Sequence, residues 1–363
     1  MKSLPDFPWD TISNFRELAS SHPDGMVDLS VGTPVDVVPE IIQEALRSHT
    51  NTPGYPTTIG TTELRTAALG WLDRTLGAKE LNLRQVIPTL GSKELIAWLP
   101  TILDLDTSLH IAIPAISYPT YEVGAIIAGH PVFRYNSIQE LIDVSATKIK
   151  FGLIWLNSPS NPTGRVLAKE ELEQVVAFAQ TNNIILASDE CYIELGWESE
   201  PRSILNSSVA VTQRNLLAVH SLSKRSNLAG YRVGLLSGDQ SLVEKVLEFR
   251  KHAGMLMPAP IQYAAKIALQ DDAHVNVQRK RYQERRAILT EALLGAGFRI
   301  DHSEAGLYLW VSQGLNARET LQYFAERGIL VAPGDFYGDT THCRVALTAS
   351  DEAIQQAALR LKA

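Results

Sequence analysis

The feature that most constrains this chain is an alternation, from about Gln85 to Gly238, of short apolar β-branched runs with segments whose apolar residues recur at three and four. The runs Leu109 to Ile113, Phe151 to Leu156, Ile184 to Ala187 and Leu216 to Val219 read as buried parallel strands. Segments such as Ser92 to Leu103 and Lys169 to Thr181 read as helices, and in the second Leu172, Val175, Val176 and Ala179 form one stripe. Strand and helix in repeated alternation, with short links, predict an α/β domain built on a mainly parallel sheet.

After Gly238 the pattern changes. Two long helical stretches, Ser241 to Gly254 and Ile261 to Leu294, precede a mixed region with strands near Phe298 to His302, Leu307 to Val311, Leu330 to Val331 and Arg344 to Leu347. Helices at Ala317 to Arg327 and Asp351 to Leu361 complete a smaller α+β domain, and Gly254 to Pro260, rich in Met and Pro, reads as a hinge or loop. The expected division is an N-terminal segment joining the small domain (1–45), a large domain (46–254) and a small C-terminal domain (255–363).

A chain of 363 residues can bury two cores without metal or disulfide staples. The formal charge of -7, with no dense basic run, argues against a nucleic-acid partner; the Arg279 to Arg286 cluster alternates with Gln and Glu and reads as a solvated helix face. Met1 to Asp10 has no apolar stretch, so neither a signal peptide nor a membrane anchor is expected there. Cys191 and Cys343 lie far apart without a CxxC spacing, which fits a reducing cytoplasm. The nine histidines are scattered without a metal-binding spacing, and His220 reads as a packed strand residue. Gly295-Ala296-Gly297 follows a helix, so it is no dinucleotide fingerprint.

Four features fall at the ends of predicted strands, where open α/β sheets bind ligands. A lysine after a strand is ordinary by itself. In Ser221 to Gly234, however, Lys224 has serines on either side and is followed eight residues on by Arg232. Hydroxyls, a guanidinium and close backbone can hold a phosphate dianion while the amine condenses with an aldehyde. Asn157 to Gly164 is made of turn formers. The run Ile184 to Ser188 ends in Asp189, and a carboxylate there needs a cationic partner or takes up a proton. Upstream, Thr89 to Glu94 joins a strand to a helix through Gly91, which offers first-turn amides to an anion, while the GxxxxGK[ST] spacing of a nucleotide loop is absent.

The Ser221 to Gly234 stretch resembles the Schiff-base motif of class I and II aminotransferases, a fold-type I pyridoxal-phosphate family, and the other landmarks follow in order along nearly the whole chain. The resemblance implies a mainly parallel seven-stranded sheet between helices, plus the smaller domain. It implies that Lys224 carries pyridoxal 5'-phosphate as a Schiff base, with Ser221, Ser223, Arg232, Gly91, Ser92 and Lys93 around the phosphate. Asn161 and Tyr192 then hydrogen-bond the cofactor's phenolic oxygen, and Asp189 keeps the ring nitrogen protonated, which makes the ring an electron sink. Tyr118 matches the aromatic residue that stacks on the ring, although the family more often has a proline two residues before it and here Pro114 stands four before. Arg344, in the apolar run His342 to Leu347, matches the grip on the substrate's α-carboxylate. Asn161 also meets the substrate, and Gly32 marks the segment that closes over it. Tyr55 matches the tyrosine that reaches the neighbouring subunit's phosphate, which implies a homodimer with shared active sites.

The implied reaction is amino transfer by a ping-pong route, with Lys224 moving a proton between the substrate α-carbon and the cofactor's C4' atom. Gly32 to Pro39, Tyr55 to Arg65, Gly91 to Thr101 and Asn157 to Leu167 together resemble the actinobacterial type of N-succinyldiaminopimelate aminotransferase. That likeness implies glutamate as donor and a role in diaminopimelate and lysine synthesis. Such a substrate carries several carboxylates and calls for a second basic contact beyond Arg344, for which Lys93 is named by position. Aspartate, aromatic or other amino acids remain open as substrates. So does a carbon–sulfur β-lyase, which would share every cofactor residue.

Overall fold

The computed structural model describes residues 4–362; the outermost residues of the terminal readings, 1–3 and 363, lie outside the described residues. A short strand β1 (Val27–Asp28) comes first, followed by β2 (Val86–Leu90), β3 (His110–Pro114), β4 (Val132–Tyr135), β5 (Phe151–Asn157), β6 (Ile185–Asp189), β7 (Leu216–Ser221) and β8 (Val233–Gly238). The last seven join in one sheet, in the order β2-β8-β7-β6-β5-β3-β4. Only β8 runs against the rest, pairing antiparallel with β2 and β7. Parallel neighbours need long crossovers, which the helices Thr120–Ala128, Ile138–Ser145 and Lys169–Thr181 supply.

Alternate strand residues point to opposite faces, and both faces are covered. Ile154 and Leu156 enter one apolar cluster together with the Leu172, Val175, Val176 and Ala179 stripe. Leu153 and Trp155 enter the other, with Ile96, Leu99 and Tyr121. Double burial is why these strands read as unbroken apolar runs.

The second body contains β9 (Arg299–Asp301), β10 (Tyr308–Ser312), β11 (Ile329–Leu330), β12 (Ala332–Pro333) and β13 (Cys343–Ala346). Four of these form an antiparallel sheet in the order β12-β13-β10-β9, while β11 pairs parallel with β1. The N-terminal segment is thereby knitted into this body, and Ile12, Val27 and Leu29 share its core with Trp310 and Phe324.

The helical stretch expected from Ile261 to Leu294 is two helices, Ala259–Gln270 and Ala273–Gly295. Asp271 is extended at φ -114° and ψ 118°. Its carboxylate accepts the His274 amide at 3.0 Å, and Asp272 pairs with Arg74 at 2.9 Å. Short acidic side chains that bond nearby backbone compete with a continuing helix. The first of the two helices packs on the helices Glu40–Ser48 and Thr62–Leu76. Its Ala264, Ala265 and Ala268 join Ile42 and Ala45 in the core of the large sheet. We therefore propose that the division expected at 254/255 falls at Asp271–Asp272, with residues 40–48 in the large body.

Asp36 fastens the segment that carries Gly32. Its carboxylate accepts two nitrogens of Arg285 at 2.6 and 2.9 Å and Arg281 at 3.1 Å. Burial would push the Asp36 carboxyl up, but hydrogen bonds from Arg285 and Gln278 hold it below its usual value. Its contribution is therefore present at neutral pH and lost as acid titrates the carboxylate. The Arg285 side chain is 2% exposed. Replacing Asp36 with Ala leaves that cation to Asp351 alone and is expected to cost about 3 kcal/mol, read as a lowered urea midpoint; an unchanged midpoint would remove the fastening role.

Candidate active site

The carboxyl ends of β2, β3, β5, β6 and β7 share one edge of the sheet, and β8, running the other way, begins there. Gly91 follows β2, Tyr118 follows β3, Asn161 follows β5, Asp189 closes β6, Lys224 follows β7, and Arg232 stands just before β8.

Ser221 ends β7 and caps the single turn Leu222–Arg225, its Oγ accepting the Ser223 amide at 3.2 Å and donating to the Ser223 hydroxyl at 2.9 Å. That turn aims Lys224 Nζ at the Gly32 carbonyl oxygen, to which it donates. Burial pushes the amine down to about 8; the Cys191 thiol opposes this, and the Arg344 and Arg232 cations add to it. A lysine so lowered is a ready nucleophile toward an aldehyde near neutral pH.

Asp189 is 6% exposed. Its Oδ2 accepts the Tyr121 hydroxyl at 2.8 Å and its Oδ1 accepts the Cys191 amide at 3.2 Å. Burial pushes the carboxyl up, against these donors and the His220 ring. Behind it, Asn157 donates to the Asp189 carbonyl at 3.0 Å and accepts the Asn161 amide at 2.7 Å, bracing two strand ends.

Across from this edge β13 presents Arg344, whose guanidinium lies over the rings of Tyr308 and Tyr337 at 4.0 and 4.9 Å. Its Nη1 donates to Asn161 Oδ1 at 2.8 Å and its Nη2 to the Ser30 carbonyl at 2.7 Å. Nε is buried without a partner. The Tyr192 and Tyr308 hydroxyls are 3.0 Å apart.

Gly91, at φ +77°, leaves room for Arg232: a Cβ there would stand 2.2 Å from its guanidinium. Gly91 is also the N-cap of the helix Ser92–Leu103, with no side chain on the first-turn amides. In the ladder Gly234 lies between Thr89 and Ser221, so cap, guanidinium and serine hydroxyls converge. Together they make a cradle for an anion.

Tyr118 is half-buried, its phenol pushed up to about 12 by burial. Its ring stands edge-on to Tyr121 at 6.0 Å. Two expected residues fall outside the cluster. Tyr55 is 98% exposed, packed against nothing in its own chain. Lys93 is exposed, with its ammonium 5.8 Å from the Phe7 ring centroid. Tyr121, Cys191, Asn157, Tyr308 and Tyr337 were not foreseen. Tyr121 had a signal, a second aromatic residue three positions after Tyr118 and in the first turn of the helix Thr120–Ala128.

The family described as aminotransferase class I and II matches residues 24–361. The chain belongs to that family. Its cofactor is pyridoxal 5'-phosphate, and its substrates are amino and keto acids. It is 52% identical to a probable aminotransferase of Mycobacterium tuberculosis over 99% of this chain and 85% of that one. It is 48% identical to the 4-dedimethylamino-4-oxo-anhydrotetracycline transaminase OxyQ of Streptomyces rimosus over 99% of this chain and all of that one. An LL-diaminopimelate aminotransferase of Nostoc sp. is 30% identical, over all of this chain and 97% of its own. The fold of a Neisseria meningitidis aminotransferase superposes with a TM-score of 0.88 at 28% identity, covering 99% of this chain and 97% of that one. Among the described residues no helix is long and apolar enough to cross a membrane.

The residues present fit the cofactor. The cradle at Gly91 suits its phosphate, the lowered amine of Lys224 suits its aldehyde, and a cationic ring nitrogen is the partner that buried Asp189 calls for. Changing Tyr121 to Phe removes one of the two hydrogen bonds on Asp189 and weakens its carboxylate as an ion partner. Titration of the cofactor-free chain, followed by visible absorbance, is expected to show pyridoxal phosphate held about five- to tenfold more weakly.

Proposed function

We propose that this aminotransferase moves an amino group between glutamate and the keto acid of N-succinyl-LL-2,6-diaminopimelate, with Lys224 as the lysine that binds the cofactor. The observation that carries the lysine assignment is its half-buried, lowered amine at one sheet edge with Asp189 and Arg232, facing Arg344. Gly91, Ser92, Ser221, Ser223 and Arg232 take the phosphate, Asn161 and Tyr192 the phenolic oxygen, Tyr118 one face of the ring, and Asp189 its nitrogen. When bound, the cofactor supplies an electron sink for the pair left at the donor's α-carbon.

The chain's own work is to orient the donor and move protons. Arg344 gives up its contacts to Asn161 and Ser30 and takes the donor's α-carboxylate as a charge-assisted pair. That fixes the α-carbon within reach of Lys224 Nζ, which removes its proton and, in the acceptor half, returns one to the acceptor's α-carbon. Gly32, whose carbonyl receives the resting amine, covers the donor's side of the site.

Support for the succinylated substrate comes from the resemblance of four segments and from the diaminopimelate relative. Lys93 is a candidate second cation, standing at the end of a row of rings formed by Phe7, Trp9 and Phe336. A second reading, a bulky cyclic ketone as acceptor, draws on the 48% identity to the tetracycline transaminase over its full length. We also propose a homodimer, in which exposed Tyr55 reaches the neighbouring subunit's phosphate.

Supplied with glutamate and the succinylated keto acid, the enzyme is expected to release 2-oxoglutarate. No turnover with that pair, alongside good turnover of aspartate or an aromatic amino acid, would sink the succinyl reading, and conversion of a polycyclic ketone alone would establish the second. Lys224→Ala should lose the visible absorbance and slow transfer by at least roughly a thousandfold; full turnover would refute the lysine assignment. Because the neutral amine is the nucleophile, covalent uptake of the cofactor by the cofactor-free wild type should speed up with rising pH and level off above about 8. A rate that is flat from pH 6 to 9 would contradict that.

A further inference from the structure

Tyr308 opens β10, where it stands opposite Ala346 of β13, and Arg344 stands opposite Trp310. Positions two apart along a strand share a face, so Tyr308 and Arg344 are diagonal neighbours on one side of the sheet. The result is the 4.0 Å approach of the guanidinium to the Tyr308 ring. A phenylalanine would serve that contact as well. The hydroxyl therefore needs its own account, because Tyr308 is 4% exposed and a buried hydroxyl requires a partner.

That partner is Tyr192, at 3.0 Å, with the two rings edge to face at 5.6 Å. Gly32 is shaped to the same hydroxyl: a Cβ on it would stand 2.2 Å from the Tyr308 oxygen. One residue thus backs the carboxylate grip, the phenol of Tyr192, and the glycine whose carbonyl receives Lys224.

We propose that Tyr308 is a positioning residue with two separable tasks, its ring holding Arg344 for the donor's carboxylate and its hydroxyl donating to Tyr192 so that Tyr192 donates outward to the cofactor's phenolic oxygen. The proposal rests on the reading above that Arg344 meets the donor and Tyr192 the cofactor. Hydrogen bonds in a chain strengthen one another, and Tyr192 is kept a neutral donor by burial and by its tyrosine neighbour. The other charged and titratable groups around the pair are Arg344 on β13, Lys224 beyond β7, Cys191 beyond β6, Tyr118 beyond β3, Tyr337 after β12, and Tyr282 on the helix Ala273–Gly295.

The test compares wild-type holoenzyme with Tyr308→Phe and Tyr308→Leu, reading the KM for the amino donor, kcat, and the pH midpoint of the bound cofactor's visible band. A donor on the phenolic oxygen stabilises its anionic form and so favours loss of the neighbouring proton. Weakening that donor should move the midpoint upward by roughly half a pH unit in both variants. Tyr308→Phe keeps the ring, so its KM should stay within about twofold of wild type while kcat falls about three- to tenfold. Tyr308→Leu loses the ring as well, and its KM should rise about fivefold or more. A Phe variant with wild-type midpoint and kcat overturns the proposal, as does a Leu variant with wild-type KM. Should Tyr308→Leu fail to fold, as judged by its melting curve, Tyr308→Met makes the same comparison. A wild-type chain that takes up no pyridoxal phosphate would end the underlying site reading itself, an outcome distinct from a coloured enzyme that ignores both substitutions.

Discussion

Asp189 is a carboxylate held at the end of a buried strand by a phenol and a backbone amide, with burial working against its charge. Two neutral donors offset only part of what an ion loses on leaving water. The site is therefore tuned for a cation that arrives from outside the chain, and its other parts are arranged around that requirement. Asn157 braces the strand that carries Asp189, Tyr121 is pinned against Trp155 in the core, and Lys224 waits within the same pocket as an amine that burial has already made easier to deprotonate.

The second body matters because it brings Arg344, the proposed carboxylate grip, to this edge. Arg344 lies on an antiparallel strand of a separate sheet, and what sets it against the large sheet is the N-terminal segment. That segment pairs with β11, offers the Ser30 carbonyl to Arg344 and the Gly32 carbonyl to Lys224, and is fastened by Asp36 to the long helix. Movement of this strip of chain would touch Arg344 and the amine of Lys224 together.

The large sheet was legible because strands buried on both faces leave unbroken apolar runs, and Gly91, Asp189, Lys224 and Arg232 drew notice through their own chemistry, whereas Asn161 and Tyr118 were marked only by the family resemblance. Asp189 is the clearest case, since a carboxylate closing an apolar run demands a partner whatever the fold. The break at Asp271 was hidden because helix-forming residues continue on both sides of two acidic residues, one of which accepts the His274 amide while the other pairs with Arg74. Tyr308 and Tyr337 gave no local signal, because their place beside Arg344 follows from strand register and from packing between distant segments. Lys93 drew notice only through its neighbours in the cradle, and its own side chain lies beside Phe7.

The reversed direction of β8 has a consequence of its own. Were that strand parallel to its neighbours, the chain leaving Lys224 would have to cross the whole sheet before returning, and such a crossover needs a dozen residues or more. Running backward, it lets the eight steps from Lys224 to Arg232 depart from and come back to the same rim, with β7 and β8 anchoring both ends. The segment behaves as a ruler with both ends pinned to the sheet. An inserted or deleted residue there would alter the spacing between amine and guanidinium.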